Sequence, residues 1–184
     1  MHLRNEETFG PWRGAVLAAA IVVAAAVRIA PHPFNLTPIG AMALFSGAMF
    51  RNRLAGLLFP LAALFAGDVF VGWHRLMPAV YASFALSVAI GRWLGARPGV
   101  RRLGGAVFLG ALQFFLVTNL ALWAAGGFYP RTAAGLAACY AAGLPYFGNT
   151  LAGDALYAAA LFGGLRLAEW MFPELAAPEE ARGR

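Results

Sequence analysis

The chain has no lysine. All fourteen of its basic residues are arginine, which excludes a Walker-type phosphate loop, a Schiff-base lysine and a pyridoxal phosphate linkage. No cofactor is expected, and any ATP-driven work must fall to another protein. The one cysteine, Cys139, cannot form an intrachain disulfide. Charge is scarce as well: Asp, Glu, Lys and Arg make up 12% of the sequence, about half the usual share of a soluble chain. The net charge of +6 does not call for a nucleic-acid partner, because membrane topology accounts for where the arginines fall.

What is present is apolar. Hydrophobic residues are 61% of the 184 positions, in long runs with short polar interruptions, so the lipid bilayer is the expected partner. The expected fold class is an all-α membrane protein with six transmembrane helices and an additional outer re-entrant or short helix. One polytopic domain is expected over 1–172 and a short cytoplasmic tail over 173–184. The spans fall near 14–30, 37–50, 54–73, 77–94, 103–126 and 149–170. The stretch 132–147 is apolar but interrupted by Gly135, Gly143 and Pro145.

Charge decides whether that stretch crosses. With six spans and the N-terminus inside, Arg4, Arg13, Arg51, Arg53, Arg92, Arg97, Arg101, Arg102, Arg166, Arg182 and Arg184 are inside, and Arg28, Arg75 and Arg131 are outside. Eleven against three satisfies the positive-inside rule. A seventh span would reduce the bias to eight against six, so 132–147 reads as an outer helix or re-entrant hairpin. On this map Trp12, Trp93 and Trp170 lie at the inner boundary and Trp73 and Trp123 at the outer one, where indole is favoured. The first span also has signal-peptide character, but Arg28 and the proline-rich segment after it look like an outer helix end.

The uncommon polar residues collect in the outer loops, while the inner loops hold little besides arginine and glycine. Asp68 lies near the C-terminal end of its span, where the helix carbonyls repel a carboxylate, so it needs a partner. Arg28 is the nearest counter-charge in depth, with His74 and Arg75 as alternatives, and a purely structural pair is one reading of it. Asp154 is open to a simple helix-start role, with Asn149 or Thr150 as cap. Asn119 and Trp123 share a helix face above Phe115, either as a stacking and orienting surface or as interhelical hydrogen bonding. Thr37-Pro38 reads as a helix start that holds His32 and Asn35 on a stiff loop. Gln113 and the Gly40, Ala43, Gly47 stripe read as helix packing. His32, His74, Cys139 and the two aspartates have no diagnostic ligand spacing, and no metal is expected.

Three runs carry a resemblance. They are Arg28-Ile-Ala-Pro-His-Pro-Phe-Asn-Leu-Thr-Pro-Ile-Gly-Ala, Phe-Leu-Val-Thr-Asn-Leu-Ala-Leu-Trp from 115 to 123, and Gly135 through Pro-Tyr-Phe-Gly-Asn-Thr-Leu-Ala-Gly-Asp at 154. Together they resemble an uncharacterised bacterial family of membrane proteins described as transport proteins. That family is in turn similar to the substrate-binding S components of energy-coupling factor transporters.

The resemblance implies an S-component-like bundle in the bacterial cytoplasmic membrane with both termini inside. It would bind a small solute such as a vitamin or related nutrient and be energised by a transmembrane coupling subunit and ATPases. The expected solute-binding residues are Arg28, His32, Asn35, Asp68, Asn119, Trp123, Tyr140, Asn149 and Asp154. Ala20 and Ala24 are the expected docking pair for the coupling subunit. No catalytic residue is expected. The alternatives are an intramembrane hydrolase using Asp68 and Asp154 as acid and base, and a membrane assembly protein whose polar residues only join helices.

Overall fold

The segment from Ile39 to Met49 has no polar face: Ser46 is its one hydroxyl. Such a helix can only be stable surrounded by others. In the computed structural model, which describes residues 35–172, Leu175 and scattered helical positions between 15 and 26, that is where it sits. This helix, α1 (Ile39–Met49), touches all four helices that follow it, and Ala41, Met42, Ala43, Leu44 and Phe45 are fully enclosed.

Around it run α2 (Arg53–Val71), α3 (Met77–Leu94), α4 (Val100–Ala125) and α5 (Ala133–Met171). Local chemistry sets several of the ends. Asn52 caps α2, its Oδ1 accepting from the amides of Leu54 at 2.8 Å and Ala55 at 3.2 Å. Pro78 sits in the first turn of α3, where the missing amide costs nothing, and Gly95 ends that helix with φ 78°. The Thr132 hydroxyl accepts from the Gly135 amide at 3.1 Å and starts α5.

The helices alternate in direction, and the contacts between their ends establish it. At one end Arg92 donates to the carbonyls of Phe50 and Arg51, Arg166 to the carbonyl of Pro98 at 2.7 Å, and Arg97 pairs with Glu169 at 3.1 Å. At the other end the Trp123 indole donates to the Pro130 carbonyl at 2.9 Å and Arg131 to that of Ala124. Arg51, Arg53, Arg92, Arg97, Arg101, Arg102 and Arg166 therefore share one end, and Arg75 and Arg131 the other. Trp93 and Trp170 are exposed at the arginine-rich end, and Trp73 is exposed at the opposite one.

Packing against α1 depends on backbone proximity. A Cβ on Gly47 would fall on the carbonyl of Val88, and one on Gly91 on that of Leu44, so α1 and α3 meet main chain to main chain. Below this contact, Phe45 meets Phe162 edge-on at 5.2 Å in a cluster with Leu44, Met49, Leu94, Val107 and Leu165. Outward, the pattern inverts that of a water-soluble protein: Leu54, Leu58, Phe65 and Val69 on α2, and Phe108, Leu109, Leu116 and Leu120 on α4, are exposed. Contiguous apolar faces of this kind fit lipid.

Among the described residues three helices, α3, α4 and α5, are long and apolar enough to cross a membrane. The all-helical architecture of the described residues agrees with the sequence, and the limits of α1 to α4 fall close to the apolar segments expected there, although α1 and α2 are not among the three helices that meet the length and hydropathy of a crossing. The span near 14–30 lies largely outside the described residues.

The stretch 132–147 is a correction. It is neither a separate outer helix nor a re-entrant hairpin, because α5 runs without interruption through Pro145 for 39 residues. In sequence Pro145 has the character of a breaker, but a helix packed against neighbours retains a proline with the loss of a single backbone bond, as α2 does at Pro60. Thr37-Pro38 is displaced by one position, with Pro38 at the cap and Ile39 first in the helix.

Candidate functional site

At 11 residues, α1 is about 16 Å long and covers half of a bilayer core of about 30 Å. It begins partway through the bundle. The chain reaching it is irregular from Asn35 to Pro38, and Asn35 adopts φ 64°, a left-handed conformation that asparagine tolerates better than most residues. Non-helical backbone at such a depth is stable only inside protein or along a cavity. Here it borders a small, partly open cleft lined by Asn35, Thr37, Gly40, Phe84, Ser87, Gly110, Phe114, Thr150 and Asp154.

The sequence between residues 8 and 168 has two carboxylates, Asp68 and Asp154, and both are buried, 2% and 3% exposed. Asp154 stands in the middle of α5, so it does not occupy a first helical turn and neither Asn149 nor Thr150 caps a helix start. The favourable dipole it meets belongs to a different helix. Its Oδ1 accepts the Ala41 amide, in the first turn of α1, at 3.1 Å.

Two glycines permit this approach. A Cβ on Gly40 would overlap the Asp154 carboxylate, and one on Gly153 would lie 3.2 Å from the Leu36 Cα and the Thr37 nitrogen. The apolar wall of the cleft is a tilted pair of rings, Phe84 and Phe114, with centroids 5.2 Å apart. Behind Ser87, Gln113 Nε2 donates to Ser87 Oγ and to the Ser83 carbonyl, both at 3.0 Å. Gln113 thus joins α4 to α3, as its position suggested, while its Oε1 and the Ser83 hydroxyl are buried with no hydrogen-bond partner among the described residues.

The sequence-derived site residues divide. Asn35 and Asp154 line the cleft. Asp68 does not: the Tyr81 hydroxyl donates to its Oδ2 at 2.9 Å, joining α2 to α3. Asn119, Trp123 and Tyr140 gather along the contact between α4 and α5. There Asn119 donates to the Phe115 carbonyl at 2.8 Å, Tyr140 to that of Leu116 at 2.8 Å, and the Cys139 thiol to that of Asn119 at 3.4 Å. Phe115 meets Tyr140 edge-on at 5.4 Å. Asn149 is half-buried on α5 and outside the cleft lining. Arg28, His32, Ala20 and Ala24 lie outside the described residues. Among the described residues no three metal-binding side chains converge.

Thr37, Gly40, Phe84, Ser87, Gly110, Phe114 and Thr150 were not among the expected site residues. The available signal was Gly153-Asp154, a glycine for close approach beside an acid in the middle of an apolar helix.

The described residues are all helical, with three helices long and apolar enough to cross a membrane, an apolar exterior and a polar cleft around one internal helix start, features that point to the class of membrane proteins. Within it, residues 11–175 match the model of a family of unknown function, DUF6580, and the chain belongs to that family. Neither the curated proteins nor the solved structures yield a match.

Proposed function

We propose that the protein is a membrane-embedded solute-binding subunit for uptake, whose cleft at the start of α1 faces away from the cytoplasm. The observation that carries this reading is the placement of Asp154 and the α1 amino terminus in a polar cleft inside an otherwise apolar bundle. A buried acid in such surroundings marks a functional site by default, and a helix that begins partway through the membrane is a recurrent way to present a site. The seven arginines at the far end supply the orientation through the positive-inside rule.

In this reading the chain crosses six times with both termini inside. α1, about 16 Å long, and the four residues from Asn35 to Pro38, reaching up to about 13 Å when extended, make one discontinuous crossing. α5 returns as a single crossing, so the number of crossings expected from charge is kept although the outer hairpin is gone. At 39 residues, about 58 Å, α5 outreaches the bilayer core and extends past it or tilts. The resemblance to S components supplies the remainder: a small nutrient as solute, and a coupling subunit with ATPases docking near Ala20 and Ala24. With no lysine to build a nucleotide-binding loop, the energy comes from that partner.

The test is purification from membranes, mass spectrometry of co-purifying small molecules and a thermal-stability screen of nutrients. Saturable stabilisation by a solute is expected. A protein that no solute stabilises, and in which alanine at each polar cleft position lowers stability alike, is an assembly protein instead.

A further inference from the structure

The chemistry of the cleft is one-sided. Among the described residues that line it, Asp154 is the one ionisable side chain, and Asn35, Thr37, Ser87 and Thr150 each bring an oxygen able to accept a hydrogen bond. No arginine or histidine is among them. Oδ1 of Asp154 is engaged with the Ala41 amide, and Oδ2 accepts no hydrogen bond from a described residue, although the side chain is 3% exposed. A carboxyl group buried this deeply either carries a proton or meets a positive group. One amide and the end of a helix dipole offset only part of the cost of burying its charge.

We infer that the solute is a small organic cation, an ammonium or guanidinium on a compact apolar body. This rests on the solute-binding reading and adds the sign of the charge and the shape. The cationic head meets Oδ2 of Asp154, and its hydrogen-bond donors meet the surrounding hydroxyl and amide oxygens. The Phe84 and Phe114 rings take the alkyl part and attract the positive charge through their faces. The two unpartnered oxygens behind Ser87, Gln113 Oε1 and Ser83 Oγ, add to an environment rich in acceptors.

The experiment uses the full-length protein in detergent and measures affinity and thermal stabilisation with choline, isobutylammonium and methylguanidinium. The controls are the uncharged alcohol in which carbon replaces the choline nitrogen, and tert-butylacetate as an anion of similar shape. At least one cation binds saturably and its controls do not.

Asp154→Asn retains an oxygen for the Ala41 amide but removes the charge, and it weakens the cation by at least about thirtyfold. Should that variant not fold, Phe114→Leu keeps the carboxylate and weakens the cation about fivefold through loss of the ring face. Failure of all three cations, equal binding of a control, or a folded Asp154→Asn with unchanged affinity overturns the inference. Binding of a control leaves the receptor reading intact, whereas failure of every solute in the wider nutrient screen removes that reading too.

Discussion

Asp154 and Ala41 are 113 residues apart in sequence, yet the carboxylate of one accepts the backbone amide of the other at 3.1 Å. The contact fixes α5 against the start of α1 and gives the buried acid of α5 a structural duty alongside its place in the cleft. Its geometry depends on Gly40, whose missing side chain leaves room for the carboxylate.

Gly40→Ala accordingly loses stability of about 1–3 kcal/mol, the range for overpacking a filled interior. Thermal unfolding in detergent measures it. Combining it with Asp154→Ala restores part of the loss, because the smaller side chain vacates the volume the new methyl needs, and the two effects are not additive.

Gly91→Ala is the more severe change. The new Cβ would meet the main chain of Leu44, which cannot rotate aside as a side chain can. Folded yield after membrane extraction falls sharply for Gly91→Ala, whereas Gly104→Ala, at a position with open space around it, behaves as wild type.

Tyr81→Phe tests the second acid. It removes the hydroxyl that donates to Asp68 and lowers stability by about 1–3 kcal/mol, because a buried acceptor loses a partner. Solute affinity changes little, since neither residue lines the cleft. Equal loss of affinity in Tyr81→Phe and Asp154→Asn would mean that the two acids act as one site.

Much of the fold was legible in the sequence because apolar runs and arginine placement are properties of composition, and a bilayer reads composition directly. The limits of α3 and the α4 span followed from them. The continuity of the helix through Pro145 did not, because proline's cost depends on whether packing supports the helix around it, as it does at Pro60.

The site was less legible. Asp154 was noticed, but its partner lies on α1, and only the three-dimensional approach of Gly40 and Gly153 joins them. Phe84, Phe114 and Ser87 have the spacing of ordinary core residues, so nothing local distinguishes them from their neighbours. Asn119, Trp123 and Tyr140 stood out because polar and aromatic groups are rare here, and the structure gives them hydrogen bonds along the α4–α5 contact.

Gln113→Ala isolates the polar bridge behind the cleft. Two hydrogen bonds from one amide, at a net ~1 kcal/mol each, set the expected loss of stability, and Ser87 loses the donor that orients it. The solute-binding reading therefore also expects weaker binding of the solute in this variant, measured by titration at a temperature where the protein remains folded.

The orientation of the cleft is the central claim, and labelling in intact cells tests it most directly. In a Cys139→Ala background, Asn35→Cys is treated with a membrane-impermeant maleimide, beside Arg97→Cys at the arginine-rich end. The account predicts that Asn35→Cys reacts from outside, that saturating solute slows the reaction, and that Arg97→Cys reacts only after the membrane is permeabilised. Labelling of Arg97→Cys from outside, with Asn35→Cys reached only after permeabilisation, would contradict it.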